Sequence, residues 1–170
     1  MTTGRQKRKQ YCAGVAAVAA FGVGLAALLL AGPSIATANT GGRIVVDWHS
    51  GLAISGYDPV AFFTEGKPTA GSADFELRYG GVVWRFANPG NRAAFAARPD
   101  VYMPRYGGYD PLGVARGVAV AGNANMWLIL DERLFLFYDG TRRSEFAAQP
   151  DRVIAAADRK WPQLLRMLTP

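Results

Sequence analysis

From Cys12 to Ala31 the chain carries no charged residue, and this run divides it into two parts with different fates. Arg5, Lys7, Arg8 and Lys9 precede the run; Gly32, Pro33 and Ser34 break it before Ile35-Ala36-Thr37-Ala38. A basic start, an apolar stretch and an Ala-x-Ala exit at Ala36 and Ala38 are the parts of a secretory leader. Residues 1–38 therefore read as a signal peptide. The rival reading is an uncleaved anchor over 12–31, since about 20 apolar residues cross a bilayer. The Ala- and Gly-rich run and its small-residue exit favour cleavage. Under either reading the basic flank stays inside and the remainder is exported to a periplasmic or extracellular space. The basic flank holds no Arg-Arg pair of the kind a twin-arginine route uses.

The leader accounts for most of the charge. Nineteen Lys and Arg face thirteen Asp and Glu, and four of the basic residues lie in the first ten positions. Fifteen against thirteen remain, a net of +2, which gives no reason to expect nucleic acid as a partner. The single cysteine, Cys12, also lies in the leader. The chain beyond the leader therefore has no disulfide, no thiolate nucleophile and no Cys-based zinc site.

Residues 39–43 read as a flexible linker to a domain over 44–168. Ile44–Trp48 is β-branched and apolar, the pattern of a first strand. Gly56-Tyr57-Asp58-Pro59 opens a short helix capped by Asp58. The clearest local signal is Phe75–Phe86, FELRYGGVVWRF, with Gly80-Gly81 as a two-residue hairpin turn. That register sets Tyr79 against Val82, Leu77 against Trp84, Phe75 against Phe86, and Glu76 against Arg85 on the polar face. Asn88-Pro89 caps a helix to about Ala97 that packs on the hairpin through Phe95. A second hairpin, Trp127–Tyr138, is apolar on both faces, as for central strands. Val153, Ile154, Ala157, Trp161, Leu164, Leu165 and Leu168 follow helical spacing, with a break or kink expected at Pro162. No internal repeat stands out. The expected class is α+β: a small antiparallel sheet of two hairpins with several short helices packed on it.

Four strings together carry a resemblance: Gly51–Phe63 (GLAISGYDPVAFF), Trp84-Arg85-Phe86, Tyr102–Tyr109 (YMPRYGGY), and Ala156 through Trp161-Pro162. Across about residues 44–165 the chain resembles the exported, stand-alone branch of the YHS-domain family. The resemblance implies a small α+β domain associated with metal handling. In that branch a cysteine or selenocysteine follows the YGGY string. Here the position is Asp110, followed by Pro111, so the family's cysteine role does not transfer. A second departure is Glu132, where the branch usually has Gly in the turn Asp131-Glu132.

The candidate ligand loop is Tyr106, Gly107, Gly108, Tyr109 and Asp110: glycines admit close backbone approach, and phenols and a carboxylate supply polar groups. The structural alternative is a tight turn whose tyrosines fill the core and whose Asp110 caps a helix at Pro111. His49 is a candidate metal ligand with Asp110 and with Met103 or Met126; copper would suit Met and His, a harder divalent ion His and Asp. The alternative is a solvated turn residue beside Ser50-Gly51. Asp58 and Asp110 each follow Gly-Tyr and precede Pro, which suggests two similarly capped helix starts rather than an acid–base pair. Ser50, Ser55, Ser72 and Ser144 lack a nucleophile-elbow context, and no G-x-G-x-x-G string is present. Trp48, Trp84, Trp127 and Trp161 read as core. The residues point to an exported, non-enzymatic binding module for an unknown protein or small ligand. A metal-ion-binding protein using His49 and Asp110 and a redox accessory protein are the alternatives. No cofactor is expected beyond the metal ion of that alternative, and membrane contact only through an uncleaved leader.

Overall fold

The computed structural model describes residues 42–168; the leader and the positions Ala36 and Ala38 lie outside the described residues. The class is α+β, with two separate two-stranded antiparallel sheets among short helices. Strands β1 (Ser72–Tyr79) and β2 (Val82–Phe86) form the first hairpin, and β3 (Asn123–Leu130) and β4 (Arg133–Phe137) the second. Among the described residues no helix is long and apolar enough to cross a membrane.

The order of elements repeats, which corrects the expectation that the chain holds no internal repeat. A left-handed 3-10 turn, Ile54–Gly56, leads through Tyr57-Asp58-Pro59 into helix α1 (Ala61–Thr64). Hairpin β1–β2, helix α2 (Pro89–Ala97) and helix α3 (Pro99–Tyr102) come next. A second left-handed turn, Arg105–Gly108, then leads through Tyr109-Asp110-Pro111 into α4 (Pro111–Ala115). Hairpin β3–β4, α5 (Gly140–Ala148) and α6 (Pro150–Leu168) complete the second half. The correspondence extends to single bonds. Gly71 donates to the Gly56 carbonyl as Gly122 does to Gly108, and the bridge Tyr57–Ala70 matches Tyr109–Ala121.

The first hairpin has the expected pairs Tyr79–Val82, Leu77–Trp84 and Glu76–Arg85, the last an ion pair at 2.9 Å. Phe86, however, stands opposite Ser72 rather than Phe75, because β1 bulges between Ser72 and Glu76. The bulge adds residues to one strand and turns it around its partner. The second hairpin bulges at the matching place, between Asn123 and Trp127. Helix α2 anchors on the first hairpin through Phe95, whose ring lies 5.0 Å from Trp84 and 5.2 Å from Phe86.

The two-sided apolar pattern of the second hairpin has a different cause from the one expected. Strand β4 is not the centre of a wide sheet; it lies between two cores. Leu134 and Leu136 join the cluster of Val60, Phe62, Trp84 and Phe95. Phe135 and Phe137 join that of Tyr106, Leu112, Phe146 and Ala157. A strand with alternate side chains in two separate cores must be apolar on both faces.

Three further expectations are corrected. Ile44–Trp48 forms no strand but a single bridge, Val46–Ala53, held by bonds from Val45 N–H to the Gly107 carbonyl and from Ile54 N–H to the Val45 carbonyl. Trp48 is 84% exposed in a turn and takes no part in the core. Helix α6 runs through Pro162 as one element, its stripe of Val153, Ala157 and Leu164 holding it on the second core. Packing outweighs the one backbone bond that proline removes.

Candidate functional site

Residues 105–110 fold as they do because three of them sit at positive φ: Tyr106 at 55°, Gly107 at 63° and Gly108 at 90°. The glycines serve the chain itself. A Cβ on Gly107 would fall 1.8 Å from the Arg43 carbonyl oxygen, so Gly107 lets the segment 43–45 cross against the turn. Tyr109 fastens the same segment, its hydroxyl donating to the Gly42 carbonyl at 3.1 Å; burial pushes its phenol pKa up.

Asp110 is fully buried and faces protein donors. One carboxylate oxygen accepts from Gly113 N–H (2.8 Å) and from the Arg142 guanidinium (3.0 Å), the other from Tyr138 N–H (3.0 Å). It caps α4 and ties it to the exit of β4. His49 stands in the exposed turn Asp47–Ser50, where the Asp47 carboxylate accepts the N–H of His49 at 3.1 Å and of Ser50 at 2.8 Å. These bonds, that from Ser50 foremost, hold the Asp47 pKa low. Met126 packs against the second core, whereas Met103 packs against the first and lines a cavity beside the loop. Among the described residues no three His, Cys, Asp or Glu side chains are grouped to hold a metal ion. With Asp110 enclosed by its own donors, the residues of this loop do not fit a metal centre.

That cavity, of about 490 Å³, is what the loop opens onto, at the junction of the two halves. Of the candidate loop residues, Tyr106 and Gly107 line it. From the first half come Tyr79, Gly80 and Trp84; α6 supplies Asp158 and Trp161. Trp84 is fully buried beneath the cavity, and its indole N–H is satisfied by the Tyr79 carbonyl at 3.1 Å.

A polar network sits along one side. Both oxygens of Asp158 accept from the Arg105 guanidinium at 2.8 Å, and one of them also accepts from the Tyr106 hydroxyl at 2.8 Å. Burial alone would raise the Asp158 pKa, but the bonds from Arg105 and Tyr106 together hold it below the usual carboxylate value. Burial pushes the Tyr106 phenol well above its ordinary value, and the bond to Asp158 adds to this. The Tyr106 ring meets Trp161 edge-on, centroids 5.6 Å apart, while the Arg105 guanidinium lies 5.5 Å from the Tyr106 centroid.

Two more guanidiniums, Arg43 and Arg133, reach the cavity. Arg133 donates to the backbone carbonyl of Asp100. Neither Arg105, Arg133 nor Asp158 could be found from sequence reasoning, because they are scattered singly along the chain and carry no motif. Adjacency of Arg105 to the YGGY string was the available signal. Comparison with models of protein families, with curated proteins and with solved structures finds no match for this chain.

Proposed function

We propose that this chain is an exported, non-enzymatic binding module of YHS-like design whose small ligand enters the cavity beside Tyr106 and Gly107. The observation that carries the reading is the cavity itself. It is large enough for a small organic molecule, lies where the two halves meet, and combines aromatic walls with a few convergent polar groups. Among the described residues its lining includes no His, Cys or Ser, and the carboxylate of Asp158 is already committed to Arg105 and Tyr106. Such a lining suits binding rather than acid–base or nucleophilic work. The leader-like start of the sequence and the resemblance of the strings GYDPVAFF and PRYGGY to the YHS family support the same reading.

The test is amide and indole NMR of the protein, purified as its host processes it, against a library of soluble aromatic fragments. Signals of Gly80, Gly107 and the Trp161 indole are expected to move together and to saturate. Fragments that bind only elsewhere, or copper and zinc titrations that shift the His49 turn with nanomolar affinity, would overturn the assignment.

A further inference from the structure

We infer that the cavity takes an organic anion, a flat apolar body bearing a carboxylate or phosphate, with Arg133 as its anchor. The inference rests on the reading of the cavity as a binding site and adds the ligand's chemistry.

Three observations carry it. The first is the charge of the lining, where Arg43, Arg105 and Arg133 face Asp100 and Asp158. Asp158 is neutralised by Arg105 through both oxygens, so that pair leaves little field for a ligand. Arg133 belongs to no ion pair among the described residues, although Asp131 and Glu132 precede it in the turn, and Asp100, to whose carbonyl it donates, is an exposed, solvated rim residue. Among the described residues, one guanidinium nitrogen is held in place and the remaining donors have no partner. A planar fork of this kind matches carboxylate or phosphate oxygens.

The second is the fold's own repeat, which separates what the scaffold needs from what it does not. The places of Arg105, Tyr106 and Arg133 are taken in the first half by Ala53, Ile54 and Val82, all buried. The same frame therefore closes with three apolar residues where the second half carries two guanidiniums and a phenol. Their polarity is an addition on the cavity side. The third is the aromatic wall of Tyr79 and Trp161, which offers a flat body an apolar surface away from the charge.

Calorimetric titration of the protein, purified as its host processes it, tests this with four probes: indole-3-acetate, indol-3-yl phosphate, neutral indole-3-acetamide and inorganic phosphate. At least one indole anion is expected to bind about tenfold tighter than the amide, the scale of one charge-assisted contact at a partly exposed site, and inorganic phosphate weakly. Arg133→Gln should remove that advantage and change the amide's affinity far less than the anion's; Arg133→Lys should restore part of it. Which anion binds tighter identifies the head group. Equal binding of acid, phosphate ester and amide, or an advantage that survives Arg133→Gln, overturns the anion class while the cavity stands. No binding of any indole probe, with the Gly107 and Trp161 signals unmoved, overturns the cavity reading and this inference with it.

Discussion

Asp58 and Asp110 occupy the same place in the two halves, and each fully buried carboxylate joins the start of its own helix to the end of its own hairpin. Asp58 accepts from Val60 and Ala61 N–H at the helix start, from Ala87 N–H after β2, and from the Asn91 side-chain amide of α2. Asp110 accepts from Gly113 N–H, from Tyr138 N–H after β4, and from Arg142 of α5. The Gly-Tyr-Asp-Pro string is thus a closing device used twice. Backbone N–H groups inside a core need acceptors, and an aspartate placed before proline supplies two oxygens to several of them at once.

The first half has one more backbone donor, Val60 N–H, and the side-chain partner is Asn91 there against Arg142 here, so a neutral partner serves where the second half carries a charge. Asp110→Ala strands two backbone N–H groups and a guanidinium, and should cost about 3 kcal/mol or more. Arg142→Asn, which installs the first half's chemistry, should cost less than about 1 kcal/mol. Urea unfolding midpoints of the two variants check this. Similar losses in both would mean that the second half depends on the ion pair rather than on the shared backbone bonds.

Gly107 and Gly117 both have positive φ, at 63° and 79°, but differ in surroundings. Among the described residues an added Cβ at Gly117 meets nothing within 4 Å, whereas at Gly107 it meets the Arg43 carbonyl at 1.8 Å. Gly117→Ala should therefore cost about 1–2 kcal/mol, the left-handed penalty alone. Gly107→Ala should lose more than about 3 kcal/mol or fail to fold, because backbone must move. A thermal-melt comparison separates conformation from close approach, and equal losses would contradict the crossing of segment 43–45 at this turn.

Much of the fold was legible where the signal was local. Gly80-Gly81 and the alternation around it define the first hairpin, and Asp58 and Asp110 before proline announce two helix starts. What was not legible depends on distant partners. The duplication hides because the halves share mainly turn, cap and anchor residues, Gly-Tyr-Asp-Pro and the Phe95–Phe146 pair, while the hairpins between them differ in composition. The Ile44–Trp48 run looks like a strand, yet its apolar residues answer to a turn far along the chain. Of the candidate ligand loop, Tyr106 and Gly107 reach the cavity, and Arg133, outside any ion pair among the described residues, lies at the start of a strand that pattern alone treats as core.

The two hairpin turns differ in sequence but share backbone form. Gly80 and Gly81 have φ of 62° and 83°; Asp131 and Glu132 have 48° and 57°. Both central residues of this turn type need positive φ, which Asp adopts at less cost than Glu. Glu132→Gly should therefore stabilise the protein by about 0.5–1 kcal/mol, the left-handed strain relieved less the entropy that glycine adds to the unfolded chain. A raised denaturation midpoint with an unchanged denaturant slope is the expected record. A lowered midpoint would show that the Glu132 side chain makes a stabilising contact.

The Arg105–Asp158–Tyr106 network should give stability two opposite dependences on pH. The folded-state pKa of Asp158 is depressed, so its contribution is present above the ordinary carboxylate value and is lost as pH falls through the folded value. Tyr106 is the reverse: its pKa is raised, so its contribution is full below about pH 10 and is lost as pH climbs beyond, where only the unfolded phenol ionises. The carboxylate is 44% exposed, so solvent screens the acid arm and a shallow slope is expected there. Urea midpoints of the protein and of Asp158→Asn should converge as pH drops from about 5 to about 3. Those of the protein and Tyr106→Phe, which differ by about 1 kcal/mol at neutral pH for one lost hydrogen bond, should converge above about pH 10. A gap that stays constant across either range would mean that the residue contributes through packing and not through its proton.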